Sequence, residues 1–146
     1  VRPNHRRHLP TQQAWIIFAG RADHAWQRWL RPGFRHCFAA IEDSQGWLVL
    51  EALTGRLLVA RLEVPSGFDA PAFYRRAGML ALGPFPLEET DPGRARGLWP
   101  MNCVSVCRGV LGPHAPFALT PHGLYRALTI RVLNRKISLT NAVSPR

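Results

Sequence analysis

The sequence predicts an α+β domain, an antiparallel sheet of about four to five strands with a cysteine-bearing helix packed on one face. Three observations lead there. Short apolar, β-rich runs alternate with turn chemistry at Glu42-Asp43-Ser44-Gln45-Gly46 and Thr54-Gly55. Later segments change to helical spacing behind capping residues. The 146 residues leave room for one core, burying roughly 70% of the unfolded surface without help from metals or disulfides. At 47% hydrophobic the chain is not a disordered tail, yet no apolar run approaches the ~20 residues of a membrane-spanning helix.

Taken in order, residues 14–19 form a short apolar run closed by Gly20 and predict a buried strand. Residues 22–30 place apolar side chains at 22, 25, 26, 29 and 30, a helical spacing stopped by Pro32-Gly33. Strands are expected over 34–41, 47–53 and 56–64, joined as a meander. Asp69 caps a helix that runs to about Ala77, with Pro71 in its first turn. A strand over 79–82 and a long loop over 83–100, with four prolines and three glycines, come next. Residues 102–111 are helical, with Val104, Cys107, Val110 and Leu111 on one face and Gly112-Pro113 as the stop. Thr120-Pro121 opens a last short helix to about Leu128. The expected organisation is a basic flexible arm at 1–13, one domain at 14–128, and a basic extension at 129–146 with no assigned structure.

A net charge of +10 raises the possibility of nucleic acid, but its distribution weakens that reading. Residues 1–36 carry seven arginines against Asp23 alone, residues 126–146 carry five basic side chains and no acid, and residues 37–125 sum to −1. The excess lies wholly at the two ends. Arg2, Arg6, Arg7, Arg28, Arg31 and Arg35 with Trp15, Trp26 and Trp29 could form a cationic aromatic surface for single strands, and this is the alternative function, not the favoured one. Three cysteines cannot pair completely within one chain, and no apolar stretch backs the basic residues near the N-terminus, so a cytoplasmic setting is expected.

The chemistry concentrates in Met101-Asn102-Cys103-Val104-Ser105-Val106-Cys107. Asn102 as cap puts Cys103 in the first helical turn, where unpaired N–H groups and the helix dipole favour a thiolate. A thiolate nucleophile needs a base. Alternation in the 34–41 strand puts His36 on one face with Phe34, Phe38 and Ala40, and Cys37 on the other. An even connection such as 43–46 keeps His36 on the same face as Trp47, Val49 and Glu51. A two-residue turn at Asp43-Ser44 would set His36 opposite Glu51, a four-residue one would make them diagonal neighbours, and an odd loop without a bulge would put them on opposite faces.

The Gly33-Phe34-Arg35-His36 strand start, the Trp47-Leu48-Val49-Leu50-Glu51 strand and the Asn102-Cys103 helix ending Val110-Leu111-Gly112 resemble the circularly permuted papain-like proteins of the NlpC/P60 superfamily. Thr120-Pro121-His122-Gly123-Leu124-Tyr125 looks like the short helix that follows in bacterial and phage-associated members. The resemblance spans about 14–128. It implies Cys103 as nucleophile, His36 as base and Glu51 as orienting residue of a thiol hydrolase or acyltransferase acting on an amide, ester or thioester. Peptide or peptidoglycan-type amides are the family default, and no cofactor is implied. A non-catalytic phage or assembly domain on a degenerate papain-like fold is the other alternative.

Zinc is a rival for the same cysteines, through Cys103-x3-Cys107 with His114 or His122 nearby. However, Cys107 falls on the apolar face, no second compact ligand pair follows, and His36 and Cys37 point to opposite faces and are not expected to share a site. No metal is therefore expected.

Overall fold

The polar turns that punctuate residues 36–61 fold that stretch into three consecutive antiparallel strands: β2 (His36–Asp43), β3 (Gly46–Leu53) and β4 (Arg56–Arg61). They belong to a computed structural model that describes residues 12–21, 28–87 and 102–142. The first hairpin closes with Asp43 paired to Gly46, so Ser44 and Gln45 form its tip. Asp43 accepts a hydrogen bond from the Gln45 backbone N–H at 2.8 Å, and both its oxygens accept from Arg61 at 3.0 and 2.8 Å, tying the turn to β4.

Strand β1 (Gln13–Ala19) lies between β2 and the edge strand β5 (Leu80–Pro86), giving the order β4-β3-β2-β1-β5 with every pairing antiparallel. Covered on both faces, β1 buries Ala14, Ile16, Ile17 and Phe18, which is why it reads as an unbroken apolar run rather than an alternating one. β5 extends four residues beyond the expected 79–82 strand, into residues anticipated as loop. Gly83 permits this. Its φ is 148°, and a Cβ there would lie 2.9 Å from both the Ala14 carbonyl oxygen and the Trp15 ring. The β1–β5 register shifts at this point, the cis Gly83–Pro84 bond follows, and Phe85 returns to the core. Proline is tolerated because β5 has a neighbour on one side only.

Helix α1 (Ala70–Arg76) starts where Asp69 accepts the Ala72 N–H at 2.8 Å. Helix α2 (Cys103–Leu111) opens with a reciprocal capping box, in which Asn102 Oδ1 accepts the Ser105 N–H and Ser105 Oγ accepts the Asn102 N–H. Gly112, at φ 79°, stops it. Helix α3 (Pro121–Ala142) begins with Thr120 Oγ1 accepting the Gly123 N–H.

α3 corrects the expectation of a helix ending near Leu128, for it continues through most of the 129–146 extension. Beyond Gly123 no glycine or proline interrupts it. Its apolar residues occupy two sides: Leu124, Leu128 and Val132 meet the core, whereas Ile130, Leu133 and Ile137 are exposed. A search for one apolar stripe misses such a helix. Of the helix expected over 22–30, residues 22–27 lie outside the described residues, as does most of the 1–13 arm, and 28–29 form a 3-10 turn.

The sheet has a core on each face. Ile16, Phe18, Cys37 and Ala39 pack with Val104 and Cys107 of α2 and Leu124 and Leu128 of α3. On the other face Ile17, Phe38, Ala40, Trp47 and Val49 pack with Ala70 of α1, and Trp47 donates its indole N–H to the Phe68 carbonyl at 2.7 Å. Among the described residues no helix is long and apolar enough to cross a membrane.

Candidate active site

His36 is the first residue of β2 and the one buried polar side chain of the described core, 5% exposed. Phe34, two residues earlier, pins the chain as it arrives at the strand. Its ring lies 4.8 Å from Tyr125 and 5.0 Å from His122 of α3, and 6.1 Å edge-on from Phe18. The Phe34 N–H donates to the Arg31 carbonyl and the Arg35 N–H to the Ala19 carbonyl, both at 3.0 Å, so the backbone is held as it enters β2.

The β2–β3 register decides what His36 meets. Pairing of Glu42 with Trp47 and Ala40 with Val49 puts Glu51 on the face of Phe38 and His36, diagonal to His36 rather than opposite it. This is the arrangement expected for a connection over 43–46. His36 Nε2 and Glu51 Oε1 are 2.8 Å apart, a hydrogen bond that becomes an ion pair when the ring is protonated. Phe38 flanks the ring at 6.3 Å, and Tyr74 of α1 packs edge-on against Phe38 at 5.2 Å. Burial, and secondarily the Glu51 charge, holds the Tyr74 hydroxyl in its neutral form, with its pKa above the usual range.

Cys103 approaches from the other core as the first residue of α2, partly exposed, with its sulfur beside the His36 ring and against Cys37. Since Nε2 is taken by Glu51, Nδ1 is the ring nitrogen left to serve the thiol. All three sequence-identified residues, Cys103, His36 and Glu51, thus come together.

Two expectations are corrected. His36 and Cys37, on opposite faces of one strand, both adjoin Cys103. Face separation holds along a strand flanked on both sides, but β3 pairs with β2 only from Ala39 onward, and Cys103 sits at the open start of β2, where the two faces meet. The second correction concerns the thiolate. The Cys37 thiol first, and burial second, push the Cys103 pKa well above the ordinary thiol range. His36 and the Cys37 backbone N–H pull it down without prevailing. Helix position favours the anion, but the second thiol and burial in the same core outweigh it.

The imidazole responds in the opposite sense to its own burial. Desolvation is the largest single influence and disfavours the charged ring, but contacts with Cys103 and then Glu51 together raise the His36 pKa above 6.5. The carboxylate thus supports the protonated form of the ring.

Sequence reasoning gave Cys37 no part in the Cys103–His36–Glu51 arrangement. Its place on the face opposite His36 was visible. That α2 covers that face was not, because helix-to-sheet pairing has no local signal. Among the described residues no three His, Cys, Asp or Glu side chains are arranged to hold a metal ion. His122, one of the residues considered for zinc, packs against Phe34 instead. Of the aromatic residues considered for nucleic acid, Trp29 is exposed, Trp15 lies beneath the Arg75 guanidinium at 5.4 Å with its indole N–H enclosed, and Trp26 is outside the described residues. Comparison with family models, curated proteins and solved structures finds no match to this chain.

Proposed function

We propose that this protein is a thiol-dependent hydrolase or acyltransferase acting on an amide, ester or thioester through Cys103, His36 and Glu51. The observation that carries the reading is the convergence of a helix-start thiol on a buried histidine whose far nitrogen is held by a carboxylate at 2.8 Å. These are the nucleophile, base and orienting group of covalent acyl chemistry.

Attack is coupled to loss of the thiol proton. As the Cys103 sulfur bonds to the substrate carbonyl carbon, its proton passes to His36, and Glu51 stabilises the imidazolium. The capping box occupies the N–H groups of Asn102 and Ser105. The N–H groups of Cys103 and Val104, which helix geometry leaves without acceptors, are then available to the developing oxyanion. His36 next returns its proton to the leaving amine, alcohol or thiol. Water completes hydrolysis, and a second nucleophile completes transfer.

An activated ester, p-nitrophenyl acetate, tests this directly. The expected result is a burst of nitrophenol and one acetyl group on Cys103, located by peptide mass spectrometry and absent from Cys103→Ala. Acetylation confined to other residues, or an unchanged burst in Cys103→Ala, would overturn the reading.

A further inference from the structure

We propose that Cys37 is the resolving thiol for Cys103, so that a hydroperoxide converts the two into a disulfide that stores the candidate nucleophile in a reversible, inactive form. All three cysteines of the chain converge on one place in the fold. Cys37 and Cys107 are 0% exposed, whereas Cys103, at the start of α2, remains partly open. An oxidant from solvent therefore reaches Cys103 first. Cys37, from β2, packs in one core with both helix thiols, Cys103 and, one turn further along α2, Cys107, and it is Cys37 that adjoins Cys103. A buried thiol beside a partly exposed one has no route to solvent oxidant of its own, but is placed to attack its oxidised neighbour.

The chemistry balances in two steps. Cys103 sulfur attacks the distal oxygen of the hydroperoxide, the O–O bond breaks, and His36 relays the thiol proton to the departing alkoxide. Cys103 sulfenic acid and an alcohol (water, from hydrogen peroxide) result. Cys37 sulfur then attacks the Cys103 sulfur, expelling water and forming the S–S bond. Two thiols have lost two electrons to one peroxide. A dithiol reductant reverses the process, becoming a disulfide itself. Without Cys37 the sulfenic acid would persist and oxidise further to sulfinic acid, which a thiol does not recover.

The regulatory meaning rests on the acyl-transfer reading, but the disulfide itself does not, and the experiment separates them. The full chain is titrated with hydrogen peroxide, quenched with a thiol-alkylating reagent under denaturing conditions, and mapped by fragmentation mass spectrometry. In a parallel arm the reduced protein is acetylated with p-nitrophenyl acetate. The expected result is loss of two alkylatable thiols, a Cys37–Cys103 cross-link, and recovery of both with dithiothreitol. Cys107→Ala is expected to form the same cross-link. In Cys37→Ala, Cys103 is expected to reach the sulfinic acid without recovery. A Cys103–Cys107 bond, an oxidised Cys103 with Cys37 still alkylatable, or three thiols that persist would each overturn the proposal. Should Cys37→Ala fail to fold, wild type and Cys107→Ala decide. A disulfide without acetylation removes only the enzyme reading, and acetylation without a disulfide removes only this one.

Discussion

The two faces of the sheet bury similar apolar side chains but hold different chemistry. The face beneath α2 and α3 collects the thiols, with Cys37 and Cys107 among Ile16, Phe18, Leu124 and Leu128. The face beneath α1 collects the proton-handling groups, with His36 and Glu51 beside Phe38 and Tyr74. Neither core has both a nucleophile and a base. The two sets meet only at the start of β2, where the β3 pairing has not begun and α2 delivers Cys103. The difference teaches that this site depends on a strand end as much as on a strand face. Such a position also leaves one partner open to solvent while its neighbours stay dry.

Removing the proton-handling side is expected to have the largest effect. His36→Asn keeps a polar side chain of similar size but loses the base, and Cys103 acetylation is expected to slow by roughly 10²–10⁴-fold, measured by the nitrophenol burst. An unchanged rate would mean that the α1 face contributes no chemistry.

On the opposite face, Leu128→Ala removes a fully buried side chain that packs α3 onto the cysteine core. A loss of about 2–5 kcal/mol in urea unfolding is expected. The His36 resonances of the folded fraction are expected to stay in place, because the two cores are separate.

Glu51→Gln sharpens the division within the site. A neutral amide no longer supports the imidazolium, so acetylation is expected to fall, by less than on loss of the base. The His36 titration midpoint, followed by NMR, is expected to move downward. The linked effect on stability has a definite sign. A folded-state pKa above 6.5 contributes stability that is fully present below 6.5 and is lost as pH rises through the folded value. In Glu51→Gln that decline is expected to be shallower and to finish at lower pH. Identical wild-type and variant profiles would show that Glu51 does not govern the ring.

The smallest effect is expected at Ile137, exposed on the far half of α3. Ile137→Ala is expected to change stability by no more than about 0.5 kcal/mol in the same urea assay. A larger loss would show that the exposed side of α3 is packed in solution.

Much of this was legible residue by residue. Gly20, Asp69, Asn102, Gly112 and Thr120 mark element ends by local chemistry, and the structure uses each where expected. Alternation in β2 and β3 brings His36 to the face of Glu51 for any even connection, and of the even and odd connections open to the sequence the structure adopts the register that makes them diagonal neighbours. The misses have equally physical origins. β5 runs on because Gly83 admits the Ala14 carbonyl and the Trp15 ring, a fit visible only when the strands are side by side. α3 runs past Leu128 because uninterrupted backbone hydrogen bonding needs no single apolar stripe.

The amino-acid order is sufficient to name the candidate residues and the local element that carries each: a thiol behind an asparagine cap, a histidine on an early strand, and a carboxylate two strand positions beyond Val49. Those are properties of caps, periodicity and turns, which act over a few residues. The packing of distant segments adds that α2 lies over the face of Cys37, that Cys103 reaches His36 from the opposite core, and that a second thiol lies against the first. Packing of a helix on a sheet is governed by the shape and area of surfaces assembled from distant segments, and proton affinity by whatever those surfaces bring into contact.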